Sequence, residues 1–222
     1  MIDSNINSKA ISVNNKRMTQ TEEKLRKIKR SFRLYMNGEV SRSLRDKGLD
    51  YHIIWGVSNN HLRMMATEYG EDFELATALW KENIRECRIL AAMIMPPQQV
   101  DKTLAEAWMD SVKTTEEAEL CAFYLFRKLP FALALSVEWL GNGSELHRIC
   151  SYNILSRMLP QMPCCDEGTT DAVAKALNSD LASTKTGLRH AAYNCLLHFI
   201  EVDSKCKKIG EEIISRFENE TL

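Results

Sequence analysis

The chain has 222 residues, of which 45% are hydrophobic and 27% are charged, with only 9 glycines and 5 prolines. These proportions are typical of a folded globular protein and exclude the collagen-like and disordered classes. The best apolar stretches, at 89–95 and 131–137, are far shorter than the roughly 18 residues that cross a bilayer, so no membrane span is predicted. The polar N-terminal region lacks the apolar core of a secretory signal, which makes a cytoplasmic location the expectation.

The overall net charge of −1 hides an uneven distribution. Residues 1–50 carry twelve Lys or Arg against six acids, whereas the rest of the chain is net acidic. Clustered Lys and Arg side chains are typical of contacts with phosphates, so a polyanion is one candidate partner for this basic segment. A solvated, amphipathic first helix accounts for the same charges, and both interpretations stay open.

Residues 1–18 show no helical periodicity and are predicted to be a mobile leader, with residues 19–222 forming one helical domain. Beyond the leader, the apolar spacing is that of amphipathic helices throughout. The clearest stripe consists of Leu188, Ala191, Ala192, Cys195, Leu196 and Phe199. The predicted helices cover 20–36, 40–47, 59–69, 71–81, 83–95, 98–112, 114–128, 131–140, 144–159, 169–179, 184–201 and 203–218.

Turn and capping residues refine this pattern. Thr114 and Glu117 have the spacing of a capping box and predict a helix start. The Asn-Gly pairs at 37 and 142 are interpreted as helix C-caps in the left-handed conformation. Segments that start at 59, 98, 131 and 169 repeat at the period of about 40 residues found in HEAT and armadillo proteins. The prediction is therefore an all-α solenoid, or superhelix, of antiparallel helix pairs with a concave surface, and a compact bundle is the alternative.

The sequence contains no pattern for metal or cofactor binding. Cys87, Cys121, Cys150 and Cys195 fall among apolar residues and are predicted to be reduced core thiols. The adjacent pair at 164 and 165 lacks the CxxC spacing of a zinc site. Glycine-rich phosphate loops and HExxH motifs are absent, so neither a metal nor a cofactor is predicted.

Four segments carry a family resemblance: YMNGEVSRSLRDKGLDYHIIWGVSNNHLRMMA, LATALWKENIRECRILAAMI, AEAWMDSVKTTEEAE and ELHRICSYNIL. Together they resemble the bacterial DNA alkylation repair proteins of the AlkD-like kind, over about 36–199. The resemblance implies a HEAT-like solenoid that holds alkylated double-stranded DNA in a basic concave face. It also implies hydrolysis of the N-glycosidic bond of purines alkylated at N3 or N7, by a carboxylate and aromatic rings that stabilise the cation developing on the sugar.

The segment from Trp108 to Lys113 corresponds to the catalytic motif of the family. Trp108 and Asp110 match the first and third positions of the motif, and both are candidate catalytic residues. Met109 stands where a second aromatic residue is expected, and Lys113 stands where the catalytic aspartate is expected. A lysine there places a cation beside a developing cation, which opposes catalysis. Lys113 is therefore assigned to DNA binding, and Asp110 is the candidate replacement carboxylate.

Two arginines complete the predicted site. Arg148 matches the family position whose arginine holds the phosphate beside the lesion, and its fork of donors suits that contact. Arg189 lies off the apolar stripe of its helix and is a second candidate for DNA binding. The further aromatic residue of the family falls at Asn194 here, so a second cation-facing ring is missing as well.

The sequence is consistent with three functions. The first is a glycosylase for alkylated purines that needs no metal or cofactor. The second is a non-catalytic protein that binds DNA or senses damage with the same helical repeats. The third is a protein-binding scaffold, which the acidic balance of residues 51–222 favours. The sequence leaves the oligomeric state undetermined.

Overall fold

A computed structural model describes residues 20–221 of the chain, except for the side chains of residues 142 and 218–221. This range contains twelve α-helices and three short 3-10 helices, and its one strand-like contact is an isolated bridge between Ile53 and Ile84. The all-α prediction is therefore confirmed. The predicted leader, residues 1–18, lies outside the described residues.

The chain divides between Pro96 and Pro97 into two compact units. The first unit contains α1 (residues 20–34), α2 (Gly38–Asp46), α3 (Asn59–Tyr69), α4 (Phe73–Trp80) and α5 (Arg85–Ile94). Helix α5 packs against α3 and α4, and nine of its ten residues are buried. Ion pairs connect α1 to the rest of this unit: Lys24 Nζ lies 2.7 Å from Asp72, Lys27 Nζ 3.4 Å from Glu68, and Lys29 Nζ 2.9 Å from Glu82.

A buried carboxylate fixes the loop between α2 and α3. Glu86, which is fully buried on α5, accepts hydrogen bonds from the backbone N–H groups of Trp55 and Gly56, at 3.0 and 2.9 Å. Gly56 has a φ of 72°, and a Cβ there would lie 2.3 Å from the carbonyl oxygen of Asn37. Only glycine fits this conformation and this close backbone approach.

The second unit is built in two layers. Its α-helices are α6 (Lys102–Asp110), α7 (Thr115–Tyr124), α8 (Ala132–Asn142), α9 (Glu145–Met158), α10 (Glu167–Asp180), α11 (Thr186–Phe199) and α12 (Ser204–Thr221). Helix α9 packs between α7 and α11, while α10 packs against α8 and α12. Consecutive helices from α7 onward alternate between the two layers, as expected for stacked helix pairs.

The predicted apolar stripe of α11 is buried along its whole length. All six of its residues, from Leu188 to Phe199, are at most 4% exposed. The four cysteines predicted to be core thiols, at 87, 121, 150 and 195, are buried and form no disulfide within the described part of the chain. Burying a side chain the size of Leu or Phe contributes about 1.5–3 kcal/mol. The stripe therefore contributes strongly to the packing of α11 against its neighbouring helices.

Several predicted helix ends differ from the structure. Asn37 is not a C-cap: its side chain accepts from the N–H groups of Glu39 and Val40 and therefore caps the start of α2. Helix α8 does end at residue 142, but Gly143 has a φ of −82° instead of a left-handed value. The predicted helix 98–112 is divided, because Asp101 caps a new helix by accepting from the N–H of Leu104.

Gly143 marks a close approach between α8 and α9. A Cβ at this position would lie 2.4 Å from both the Cβ of His147 and the carbonyl oxygen of Trp139. The absent side chain lets the His147 ring pack edge-on against Trp139, with ring centroids 5.3 Å apart. This contact fixes the start of α9, where several of the predicted site residues lie.

No helix among residues 20–221 combines the length and the apolar character that crossing a membrane requires.

Candidate nucleic-acid interface

Helices α7, α9 and α11 form a parallel layer. Near their starts, a Cβ on Gly187 of α11 would lie 3.4 Å from Thr115 Oγ1 of α7 and 3.7 Å from Ile149 Cδ1 of α9. Near the ends of α7 and α9, the guanidinium carbon of Arg157 lies 5.2 Å from the centre of the Phe123 ring. Since starts meet starts and ends meet ends, the helices run in the same direction.

The side of this layer opposite the core exposes polar and aromatic side chains. We call it the α7–α9–α11 face. Its members recur three, four or seven residues apart, which is the spacing of one helix side. They are Glu116, Glu119, Leu120 and Phe123 on α7, Leu146, Asn153 and Arg157 on α9, and Arg189, His190, Tyr193, Asn194 and Leu197 on α11.

A half-buried carboxylate lies on this face. Burial raises the pKa of Glu119, while the charges of His190 and Arg157 act to lower it and that of Glu116 adds to the rise. The charged groups that influence Glu119 therefore come from all three helices of the layer. The Glu119 carboxylate forms no hydrogen bond or ion pair with any residue in the described part of the chain.

The two residues predicted to be catalytic lie at the end of α6 in different surroundings. Trp108 is only 4% exposed, so its ring belongs to the core of the second unit. The Asp110 side chain is 73% exposed, and its Oδ1 lies 3.3 Å from Nε2 of His147. The structure therefore does not place the ring and the carboxylate on one accessible surface.

Ser144, His147 and Asp110 form a row that resembles a catalytic triad. Ser144 Oγ lies 2.9 Å from Nδ1 of His147, whose other nitrogen faces Asp110. The same serine–histidine contact occurs at the start of α3, where Ser58 Oγ lies 2.9 Å from Nδ1 of His61. Because both serines are helix N-caps with a histidine three residues later, we interpret the contact as a local feature of helix starts.

Lys113 lies in the short connection between α6 and α7. Its backbone N–H donates to Glu117 at 3.0 Å, and its side chain is exposed. The hydroxyl of Thr114 accepts from the N–H of Glu117 at 3.2 Å, as the predicted capping box requires. The Glu117 carboxylate contacts the N–H one residue earlier than the capping box requires.

Arg148 contacts a buried carboxylate of the neighbouring layer. Its Nη1 forms an ion pair with Asp180 at the end of α10, and the Tyr152 hydroxyl donates to the other Asp180 oxygen at 2.8 Å. Burial raises the pKa of Asp180, and the Tyr152 hydrogen bond and the Arg148 charge oppose that rise. The Asp180 side chain is 2% exposed, so Arg148 serves as its internal counter-ion.

Of the five predicted site residues, only Arg189 lies on the α7–α9–α11 face. Its guanidinium is exposed and reaches the Ser183 carbonyl at 3.5 Å. Arg157, Phe123 and Glu119 were not among the site residues predicted from the sequence. They could have been identified as the residues on the side of α7 and α9 that lies opposite the apolar stripe of each helix.

Within the described residues, no three His, Cys, Asp or Glu side chains come close enough to hold a metal ion. Cys164 is exposed and Cys165 is partly exposed, and both are free.

The chain was compared with known proteins and protein families. Comparison with curated proteins gave no match. The chain is similar to a solved structure described as a new family of proteins related to the HEAT-like repeat DNA glycosylases with affinity for branched DNA structures. The TM-score is 0.74 at 14% identity, over 85% of this chain and 82% of that one, which confirms the HEAT-like fold. Residues 18–200 match the DNA alkylation repair enzyme family, and the chain therefore belongs to that family.

Proposed function

We propose that this protein binds double-stranded DNA through the α7–α9–α11 face without hydrolysing the N-glycosidic bond. The observation that carries the proposal is that this one face combines cations with exposed aromatic and amide groups. Arg189 and Arg157 would contact phosphates, and Tyr193, which is 48% exposed, would pack against a sugar or a base. Membership of a DNA repair family supports DNA as the ligand.

The surroundings of the predicted catalytic residues support a binding function. Trp108 is buried and not available to stack on a substrate. Asp110 faces His147, and Lys113 stands where the family resemblance leads one to expect the catalytic aspartate. Stabilising a cationic transition state requires negative charge at the sugar, so this composition opposes hydrolysis.

The kind of DNA is the second part of the proposal. The structurally similar protein family is described as having affinity for branched DNA structures. We therefore expect this chain to bind a four-way junction more tightly than a linear duplex of the same length.

Fluorescence anisotropy with labelled linear duplex, single strand and four-way junction tests the proposal. We expect salt-dependent binding, tightest for the junction, that weakens in Arg189→Gln and in Tyr193→Ala. Lys175→Gln is the matched control, because Lys175 is an exposed cation on α10, outside this face. Absence of binding at low salt, or equal losses in the control, would contradict the proposal.

A base-release assay on duplex DNA containing N7-methylguanine tests the non-catalytic part. We expect no release above background by the wild-type protein. Release that disappears in Asp110→Asn would instead identify an enzyme in which the exposed Asp110 carboxylate replaces the missing aspartate. The Asp110 side chain is 73% exposed, so a bound DNA could reach its carboxylate.

A further inference from the structure

We infer that Arg127 and Arg157, which share the ring of Phe123, form a binding site for a phosphate group. Arg127 follows the end of α7 and Arg157 lies in the last turn of α9. Their guanidinium carbons lie 4.6 and 5.2 Å from the centre of the same ring. The aromatic ring thus holds two cations close together at one edge of the layer.

The repulsion between the two arginines is only partly compensated inside the protein. Neither forms an ion pair with a carboxylate among the residues that the structure describes. Burial lowers the pKa of Arg157, and the charge of Arg127 lowers it further, while Glu119 offers partial compensation. Two like charges held together cost free energy, and an external anion removes that cost.

Each arginine uses only part of its donor capacity inside the protein. Arg127 Nε donates to the Phe123 carbonyl at 2.7 Å, and Arg157 Nη1 donates to the carbonyl and side chain of Asn153 at 2.6 and 3.2 Å. These bonds fix both guanidinium groups. Their other N–H groups have no partner within the described residues, and a guanidinium fork of that kind matches two oxygens of a phosphate.

An open pocket of about 420 Å³ lies beside the pair. Its lining includes Lys128, a third cation, together with Met158, Gln161 and Met162. A water molecule occupies about 30 Å³ of liquid, so this pocket admits a phosphate group with the sugar that carries it. The apolar methionines suit the sugar and the three cations suit the oxygens.

The inference rests on the proposed function where the phosphate belongs to a DNA backbone. The same chemistry would also hold a free phosphate or a mononucleotide. An alternative is that the arginines only hydrogen-bond the carbonyls of Phe123 and Asn153 and stabilise the helices. In that case DNA binding would not depend on them. A phosphate titration and the salt dependence of DNA binding distinguish these possibilities.

The first measurement is a titration of the full-length protein with inorganic phosphate, followed by NMR of the arginine Nε–Hε groups. Ionic strength is held constant with chloride. We expect the resonances of Arg127 and Arg157 to shift with phosphate, and that of Arg216 to stay fixed. Arg216 is a suitable control, since it is an exposed arginine bonded to Asn178 Oδ1 at 3.0 Å. If no arginine responds to phosphate, the site does not exist.

The second measurement is the salt dependence of DNA binding for Arg127→Gln/Arg157→Gln and for Arg216→Gln. Loss of one phosphate contact should make the log–log slope shallower by about 0.9 in the double variant and leave it unchanged in the control. An unchanged slope with a lowered melting temperature would assign the pair to helix capping and overturn the DNA contact. If the wild-type protein binds no DNA, the proposed function fails, and the phosphate titration alone decides whether the site exists.

Discussion

The two ends of α9 place their arginines in opposite environments. Arg148 and Arg157 are nine residues apart, which is about 180° around a helix. Arg148 turns toward α10 and pairs with Asp180, whereas Arg157 turns toward α7 and shares the Phe123 ring with a second arginine. Arg148 thus has a buried acid as its partner, whereas Arg157 lies beside a second cation.

An arginine paired with a buried acid contributes to stability, and its removal leaves a charge without a partner. An arginine beside another cation gains most from a ligand of opposite charge. We therefore expect Arg148 substitutions to act on folding and Arg157 substitutions to act on binding.

Arg148→Ala should produce the largest change in this comparison. The free energy of unfolding should fall by about 3 kcal/mol, the lower end of the range for breaking a buried ion pair, because the Arg148 side chain is 29% exposed. Arg157→Ala should change it by much less. Urea denaturation of both variants at pH 7 measures the difference.

The pH dependence of this loss provides a check. Without Arg148, the contribution that opposes the raised pKa of Asp180 is reduced, so the buried carboxyl protonates more readily. The destabilisation should therefore be greatest at neutral pH and shrink as the pH falls and Asp180 becomes neutral. Equal losses in both arginine variants would break the comparison.

Tyr152→Phe should produce the next largest effect. Tyr152 is completely buried, and its hydroxyl donates to Asp180 at 2.8 Å. Removing a hydrogen bond to a charged group should cost about 1.5–3 kcal/mol, with the lower end expected because Arg148 remains in place. Thermal unfolding measures the loss. A variant as stable as wild type would indicate that Arg148 alone satisfies the carboxylate.

Glu119→Gln should strengthen DNA binding by roughly twofold to tenfold, because the substitution removes a negative charge from the proposed interface. In the wild-type protein, the raised pKa of Glu119 makes its protonation begin at a higher pH than usual, so affinity should rise as the pH falls. The variant should show less of this rise. Anisotropy titrations at several pH values test this expectation, with Asp171→Asn as the control, since Asp171 is an exposed acid on α10, outside the face.

The smallest effect is expected at an ion pair of the first unit, between Lys24 and Asp72. Burial raises the pKa of Asp72, but hydrogen bonds from Lys24 and from the N–H of Leu75 outweigh it, and the pKa is lowered. Asp72→Asn keeps the helix cap and should cost about 0.5 kcal/mol at neutral pH.

The sign of the pH dependence follows from that lowered value. A carboxyl whose pKa is lower in the folded state stabilises the protein above the unfolded pKa. The difference between wild type and Asp72→Asn should therefore vanish as the pH falls through the lowered pKa. A difference that persists in acid would indicate that the cap itself was damaged.

Much of the fold could be predicted from the sequence. An amphipathic helix has one apolar side, so the spacing of residues such as Leu188, Cys195 and Phe199 identifies both α11 and its buried side. Asn37 was assigned wrongly because an asparagine can cap either end of a helix. Which end it caps here depends on the neighbouring N–H groups of Glu39 and Val40, which the spacing does not reveal.

The site was less predictable for a related reason. The family resemblance identified Arg148 as a candidate phosphate-binding residue. The acid that pairs with it lies 32 residues later, at the end of another helix, and sequence spacing does not reveal that contact. Likewise, the sequence shows Phe123 and Arg157 as ordinary members of two helices. Their contact depends on which sides of α7 and α9 meet, and tertiary packing decides that.

The close approach at Gly143 has a consequence for mutational tolerance. Even alanine would collide with His147 and with the backbone of Trp139 there, whereas a Cβ on Gly141, two residues earlier, meets nothing within 4 Å. In a saturation library selected for folded protein, position 143 should keep glycine while position 141 accepts many residues. The connection between α8 and α9 would thus be among the most constrained turns of the second unit, although it contains no residue of the proposed interface.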